Sequence, residues 1–233
     1  MITMAAPQDN ARRPATMNAP PDAPSMRIPG SVLERVHALL ADGQRKLLGL
    51  VGPPGGGKST LATALAAAFP GRAVVVPMDG FHLANAELAR LGRADRKGAP
   101  DTFDSAGYLA LLRRLRAQQA PERVYAPEFR REIEEPVAGA IAVPAEVPLV
   151  ITEGNYLLLD EPDWAGVRGQ LDEAWYLHTD EALRRQRLVQ RHVAFGRSLA
   201  EATAWEARSD EANARRVAAS APRAQWQFRW DGG

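Results

Sequence analysis

The chain has 233 residues, 45% hydrophobic and 24% charged, with 29 basic against 28 acidic side chains; that suits one sizeable α/β domain or two small ones. A net charge of +1 gives no support to a general nucleic-acid or membrane-surface binder. The absence of cysteine excludes a disulfide scaffold, a zinc–thiolate site and a thiol nucleophile.

Residues 1–28 read as a disordered tail, broken by Pro7, Pro14, Pro20, Pro21 and Pro24, with Met17 and Met26 as alternative starts. The tail has no signal-peptide core, and nothing in the chain approaches 18 consecutive apolar residues, so a cytoplasmic protein without a membrane span is expected. The domain is expected over 29–233. Ser31 and Glu34 have capping-box spacing ahead of a helix that runs to Asp42-Gly43. A buried strand over 47–51 enters a glycine-rich turn, and a helix rich in alanine and leucine follows over 58–69. Valine-rich 73–76 is a second strand. Residues 90–103 lack periodicity, 105–118 form an amphipathic helix, and 124–144, with prolines and paired charges, read as an irregular excursion. Further strands are expected at 148–152 and 174–177, helices at 180–194 and 198–219, and an edge strand at 226–230. Strands alternating with helices imply a three-layer α/β fold, a parallel sheet covered on both faces, with inserted lids.

The turn Gly52-Pro53-Pro54-Gly55-Gly56-Gly57-Lys58-Ser59 matches GxxxxGK[ST] at every fixed position, between a strand and a helix. Glycines let successive N–H groups face phosphate oxygens, and the helix start adds its positive dipole end. Lys58 is expected to reach the β- and γ-phosphates, and Ser59 to join a Mg²⁺ shell. Gly52 to Thr60 are therefore the expected nucleotide contacts.

In an open parallel sheet, residues just past the strand ends face the ligand crevice. The second strand ends at Asp79, which could accept a proton from an attacking hydroxyl or simply cap Gly80. The third ends at Glu153, a candidate Mg²⁺ carboxylate or a loop acid. His82 could line a substrate pocket or bond locally. Asp104 is a helix N-cap, whereas Asp101 could bind a polar substrate. The four histidines lack metal-ligand spacing. No acidic residue lies between Ala182 and Ala200, where Arg184, Arg187 and Arg191 share a helical face. That face could close over ATP and neutralise a transferring phosphoryl group, or it could be a solvated basic surface.

The phosphate loop, Met78-Asp79-Gly80-Phe81-His82, the 97–104 segment, Tyr125-Ala126-Pro127-Glu128-Phe129 and Glu153-Gly154-Asn155-Tyr156 occur in that order. Together they resemble the phosphoribulokinase, uridine kinase and pantothenate kinase group of phosphate-loop kinases. Within it, the likeness is to bacterial proteins of the nucleoside/nucleotide kinase family, also named fructose transport system kinases. The resemblance implies that Asp79 is the base, that Glu153 serves Mg²⁺, and that Lys58 and Ser59 hold ATP. It makes Arg187 and Arg191 lid arginines, and puts Lys97, Asp101, Tyr125 and Asn155 at the substrate pocket. It also implies that the phosphate-loop strand neighbours the Glu153 strand, and that homodimers are common. Arg130-Arg131 departs from the acidic residue expected after Phe129, so no role passes to Arg130.

The expected activity is transfer of the ATP γ-phosphoryl group to a hydroxyl of a small metabolite such as a nucleoside, a pantothenate-like compound or a sugar. Nucleic-acid and membrane partners are not expected. The alternatives are a nucleotide-dependent switch or accessory ATPase acting through a protein partner, and a non-catalytic nucleotide sensor. A guanine-reading Asn-Lys-x-Asp segment is absent from the sequence.

Overall fold

The computed structural model describes residues 27–232; the expected tail, apart from its last two residues, lies outside them. In chain order the elements are α1 (Gly30–Leu39), β1 (Lys46–Val51), α2 (Lys58–Ala68), β2 (Ala73–Pro77), α3 (Asn85–Arg90), α4 (Ser105–Ala117), β3 (Arg123–Arg130), β4 (Glu135–Pro144), β5 (Leu149–Gly154), β6 (Glu173–His178), α5 (Glu181–Ala194), α6 (Leu199–Trp205), α7 (Glu211–Ala218) and β7 (Trp226–Arg229). Five strands form one sheet in the order β2-β5-β1-β6-β7, every pairing parallel. The phosphate-loop strand β1 therefore lies beside β5, the strand that carries Glu153.

Strand alternation sorts the core into two layers. Leu48, Leu50, Leu149 and Ile151 face one side, where α1 contributes Val32 and Val36, and α2 contributes Leu61 and Leu65. Leu47, Val51, Val76 and Val150 face the other, where α4 supplies Tyr108, Leu112 and Leu115 and α7 supplies Val217. Each such fully buried side chain contributes ~1.5–3 kcal/mol. Both faces of the parallel sheet are thus covered, and the strand ends are left as the accessible edge. None of the described helices is long and apolar enough to cross a membrane.

Three local expectations change. Pro29 stands at the cap of α1 with no side-chain cap bond, so Ser31 lies inside the helix and the Ser31–Glu34 box does not form. Residues 124–144 are not irregular: β3 and β4 pair antiparallel as a hairpin, with Val124, Ala126 and Val143 turned into the core. The helix expected over 198–219 is interrupted by a π-helical turn, Glu206–Asp210, between α6 and α7. The caps at Asp104, Asp180 and Ser198 form as expected, the last with Glu201 in a reciprocal box.

Candidate active site

The chain must turn sharply between β1 and α2, and it does so with Gly55 at φ 76° and Gly57 at φ 77°. A Cβ at Gly55 would lie 2.8 Å from the Arg184 carbonyl oxygen, so α5 packs directly on the phosphate loop. One at Gly57 would meet the Trp230 indole nitrogen at 2.9 Å. That indole donates to the Gly57 carbonyl at 3.2 Å, and Thr179 donates to the Gly56 carbonyl at 3.0 Å. The loop is thus braced from α5, from the end of β6 and from the segment after β7.

Lys58 opens α2 with its side chain folded under the loop, donating to the Pro53 carbonyl at 3.0 Å and to Oδ1 of Asn155 at 2.7 Å. Burial pulls its ammonium down to about 8, against the opposing pull of Glu153 and Asp79. Ser59 donates to Oε1 of Glu153 at 2.8 Å. Glu153 is buried at the end of β5, and burial together with the nearby Asp79 carboxylate pushes its carboxyl up.

Asp79 sits in the turn after β2. Burial pushes its carboxyl up, but His82, Arg131, Lys58 and Arg191 together hold it below the usual carboxylate range. Arg131, from the tip of the β3–β4 hairpin, reaches Oδ2 of Asp79 with Nη2 at 3.2 Å. The ring of His82 contacts the Asp79 carbonyl through Nδ1 at 2.8 Å and lies between Phe103 at 4.0 Å and Phe129 at 4.7 Å. Burial pulls its imidazole down, towards the neutral form.

These groups line one cleft of about 720 Å³, a size that suits small-molecule ligands. The phosphate loop, Lys58, Ser59 and Glu153 form one part of it, and Asp79, His82, Lys97 and Phe129 another. Arg187 and Arg191 of α5 also line it. No family model matches the chain. It is 36% identical to a Schizosaccharomyces pombe protein provisionally named a uridine kinase, over 79% of this chain and 82% of that protein. A solved structure from a Silicibacter species, provisionally named a fructose transport system kinase, is 41% identical with a TM-score of 0.70, covering 79% of this chain and 90% of that one. The chain belongs to the uridine kinase-like P-loop kinases. YFH7 of Saccharomyces cerevisiae, 18% identical with a TM-score of 0.72, shares the fold over 86% of this chain and 98% of that one. Membership makes the protein a phosphotransferase acting on a hydroxyl group, with ATP as donor.

Not every expected residue of this P-loop kinase reaches the cleft. Pro54 to Thr60, Asp79, His82, Lys97, Glu153, Asn155, Arg187 and Arg191 line it. Gly52 lies behind the loop against Leu177, and Pro53 contributes its carbonyl to Lys58. Tyr125 is 57% exposed and lies outside, because it occupies an outward position of β3 between the inward Val124 and Ala126. Asp101 also lies outside the cleft lining, held by Arg96 at 2.9 Å and Arg93 at 3.5 Å. The arginines of α5 divide. Arg184 is 4% exposed and paired with Glu211 at 2.6 Å, and Arg185 pairs with Glu181 at 2.6 Å. Arg187 and Arg191 have no ion pair among the described residues; Arg187 donates to the Asp231 carbonyl. Sequence reasoning missed Arg131. Its neighbour Arg130 pairs with Glu128 at 2.7 Å outside the cleft, and only the hairpin distinguishes the two.

Proposed function

We propose that the kinase transfers the γ-phosphoryl group of ATP in line to a hydroxyl of a small metabolite, with Asp79 as the base. The observation that carries this is the convergence of Asp79, Lys58 and Glu153 on one cleft beside the phosphate loop. The acceptor oxygen bonds to the γ-phosphorus as the bond from that phosphorus to the β–γ bridging oxygen breaks. ADP leaves with the electron pair, and the hydroxyl proton passes to the Asp79 carboxylate. Lys58 and the backbone N–H groups of the loop hold the phosphates. Arg187 and Arg191, free of ion-pair partners among the described residues, offset the charge that spreads over the transferring group.

Ser59 and Glu153 suit Mg²⁺: both present hard oxygens, and Glu153 is a buried acid that a cation would hold ionised. Among the described residues no group of three or more His, Cys, Asp or Glu could hold a metal, and Mg²⁺ typically takes one or two carboxylates with phosphate oxygens and water. Bound there, it would neutralise charge on the phosphates. The packing of α5 on the loop supports a role in excluding water, the competing acceptor.

ADP formation from ATP with nucleosides, pantothenate, ribosylnicotinamide and sugars tests this reading. An acceptor-dependent rate that Asp79→Asn lowers about 10²–10⁴-fold, with nucleotide binding retained, is the expected result. Normal ATP binding without acceptor-dependent ADP from any of them overturns it.

A further inference from the structure

Arg131 stands where proton abstraction is least served by a cation. Among the described residues Asp79 is its ion-pair partner, at 3.2 Å, and the guanidinium stacks over Phe129 with its carbon 5.7 Å from the ring centre. A guanidinium in that position stabilises the carboxylate and weakens its hold on a proton, which opposes general-base work. Lys97 approaches the same ring, with Nζ 5.1 Å from its centre. It is anchored by Oδ1 of Asn85 at 2.6 Å and the Glu134 carbonyl at 2.5 Å, so its charge is directed but not fully paired; the Glu134 carboxylate is 3.9 Å away. The acceptor side of the cleft therefore has an aromatic floor with two cations over one ring, and one of those cations sits on the base.

We propose that the acceptor is a small hydroxy compound carrying an oxyanion, a carboxylate or a phosphate, which Arg131 and Lys97 bind. The oxyanion takes Arg131 away from Asp79 as the hydroxyl arrives, so the acceptor itself frees the base. This rests on the reading of Asp79 as base. A neutral acceptor leaves Arg131 on Asp79 and reacts slowly. Arginine suits the exchange because its planar fork can leave the single contact with Oδ2 of Asp79 for a two-oxygen contact with a carboxylate or phosphate.

The test compares matched pairs on the full chain: glycerate with glycerol, pantothenate with panthenol, and ribulose 5-phosphate with ribulose. Two measurements are made, ADP formation and calorimetric binding with the nucleotide site filled by AMPPNP and Mg²⁺. The expected result is a preference of about 10- to 100-fold for the charged member of at least one pair, as for a charge-assisted hydrogen bond. Arg131→Met removes most of that preference and raises turnover of the neutral member, while Arg130→Met leaves the preference unchanged. Equal use of charged and neutral twins, or Arg131→Met lowering both alike, overturns the proposal. So does the absence of any tighter binding by the charged twins. Charged twins that bind through Arg131 without any being phosphorylated would support the oxyanion site and sink the kinase reading of Asp79 instead.

Discussion

Raising the pH above 8 should weaken nucleotide binding through one proton on Lys58. Its ammonium is buried under the phosphate loop and pulled down to about 8 by that burial, with Arg191 and Arg131 adding to the effect and Glu153 and Asp79 opposing it. A bound polyphosphate supplies the negative charge the empty site lacks, and should return Lys58 to at least its ordinary value of 10.5. Binding must then take up about half a proton at pH 8 and about 0.9 at pH 9. Affinity falls ~2-fold at pH 8, ~10-fold at pH 9 and ~100-fold at pH 10 relative to neutral pH. Titration calorimetry with AMPPNP and Mg²⁺, in two buffers of different ionisation enthalpy, reads the uptake directly. The terminal phosphate has lost its own proton by then, and Lys58→Met provides the flat control. Stability moves the other way. With the folded value below the unfolded one, the unfolded chain binds more protons between about pH 8 and 10.5, so the empty protein gains up to ~3 kcal/mol across that window. No proton uptake at pH 9, or the same uptake in Lys58→Met, would refute the reasoning.

Glu153→Gln removes a buried carboxyl that burial and Asp79 push up; thermal melts at neutral pH should show a Tm a few degrees higher, while Mg²⁺-dependent turnover drops at least ~100-fold. Because Glu153 holds its proton to higher pH folded than unfolded, stability of the wild type should fall as pH rises above 4.5, and the variant should lack this component. Glu211→Ala strips the partner from Arg184, which is 4% exposed and 2.6 Å away, and should cost about 3–5 kcal/mol in urea denaturation. Trp230→Phe keeps an aromatic ring at this core position but loses the indole bond to the Gly57 carbonyl. Steady-state kinetics should show KM for ATP rising ~2- to 10-fold with little change in kcat.

The sheet was legible because its strands are short valine and leucine runs bounded by turn chemistry, and because both their faces are buried. Asp79 and Glu153 could be found for a related reason: in a parallel sheet, position at the strand end already implies position at the crevice. The hairpin was not legible. Burial alternates along the start of β3, but Pro127, Pro136 and Pro144 and a run of charges mask the period of two, so β3 and β4 read as irregular chain. Tyr125, put at the substrate pocket by the resemblance, occupies an outward position of that strand. Arg131 needs more than the strand, since its turn folds back onto a residue 52 positions earlier. The partners of Arg184 and Arg185 lie on α7 and at Glu181, outside the acid-free stretch that made the segment look unpaired.

In the cleft, polar groups assigned to substrate or metal are paired with one another. Lys58 holds Asn155, Ser59 holds Glu153, and Arg131 holds Asp79. An unpaired buried charge costs several kcal/mol, and the contacts of the buried Lys58 and Glu153 limit that cost. On the proposed mechanism, ligand binding is an exchange of partners: phosphates would replace Asn155 on Lys58, a cation would replace the Ser59 hydroxyl bond on Glu153, and an acceptor oxyanion would replace Asp79 on Arg131. Only the last exchange would uncover the proposed base, so a charged acceptor would complete the site where a neutral one would not. Water, neutral and small, would leave Arg131 on Asp79. Of the three contacts only Arg131–Asp79 joins opposite charges, so on the proposed mechanism selectivity against hydrolysis would follow from which ligand can break that pair.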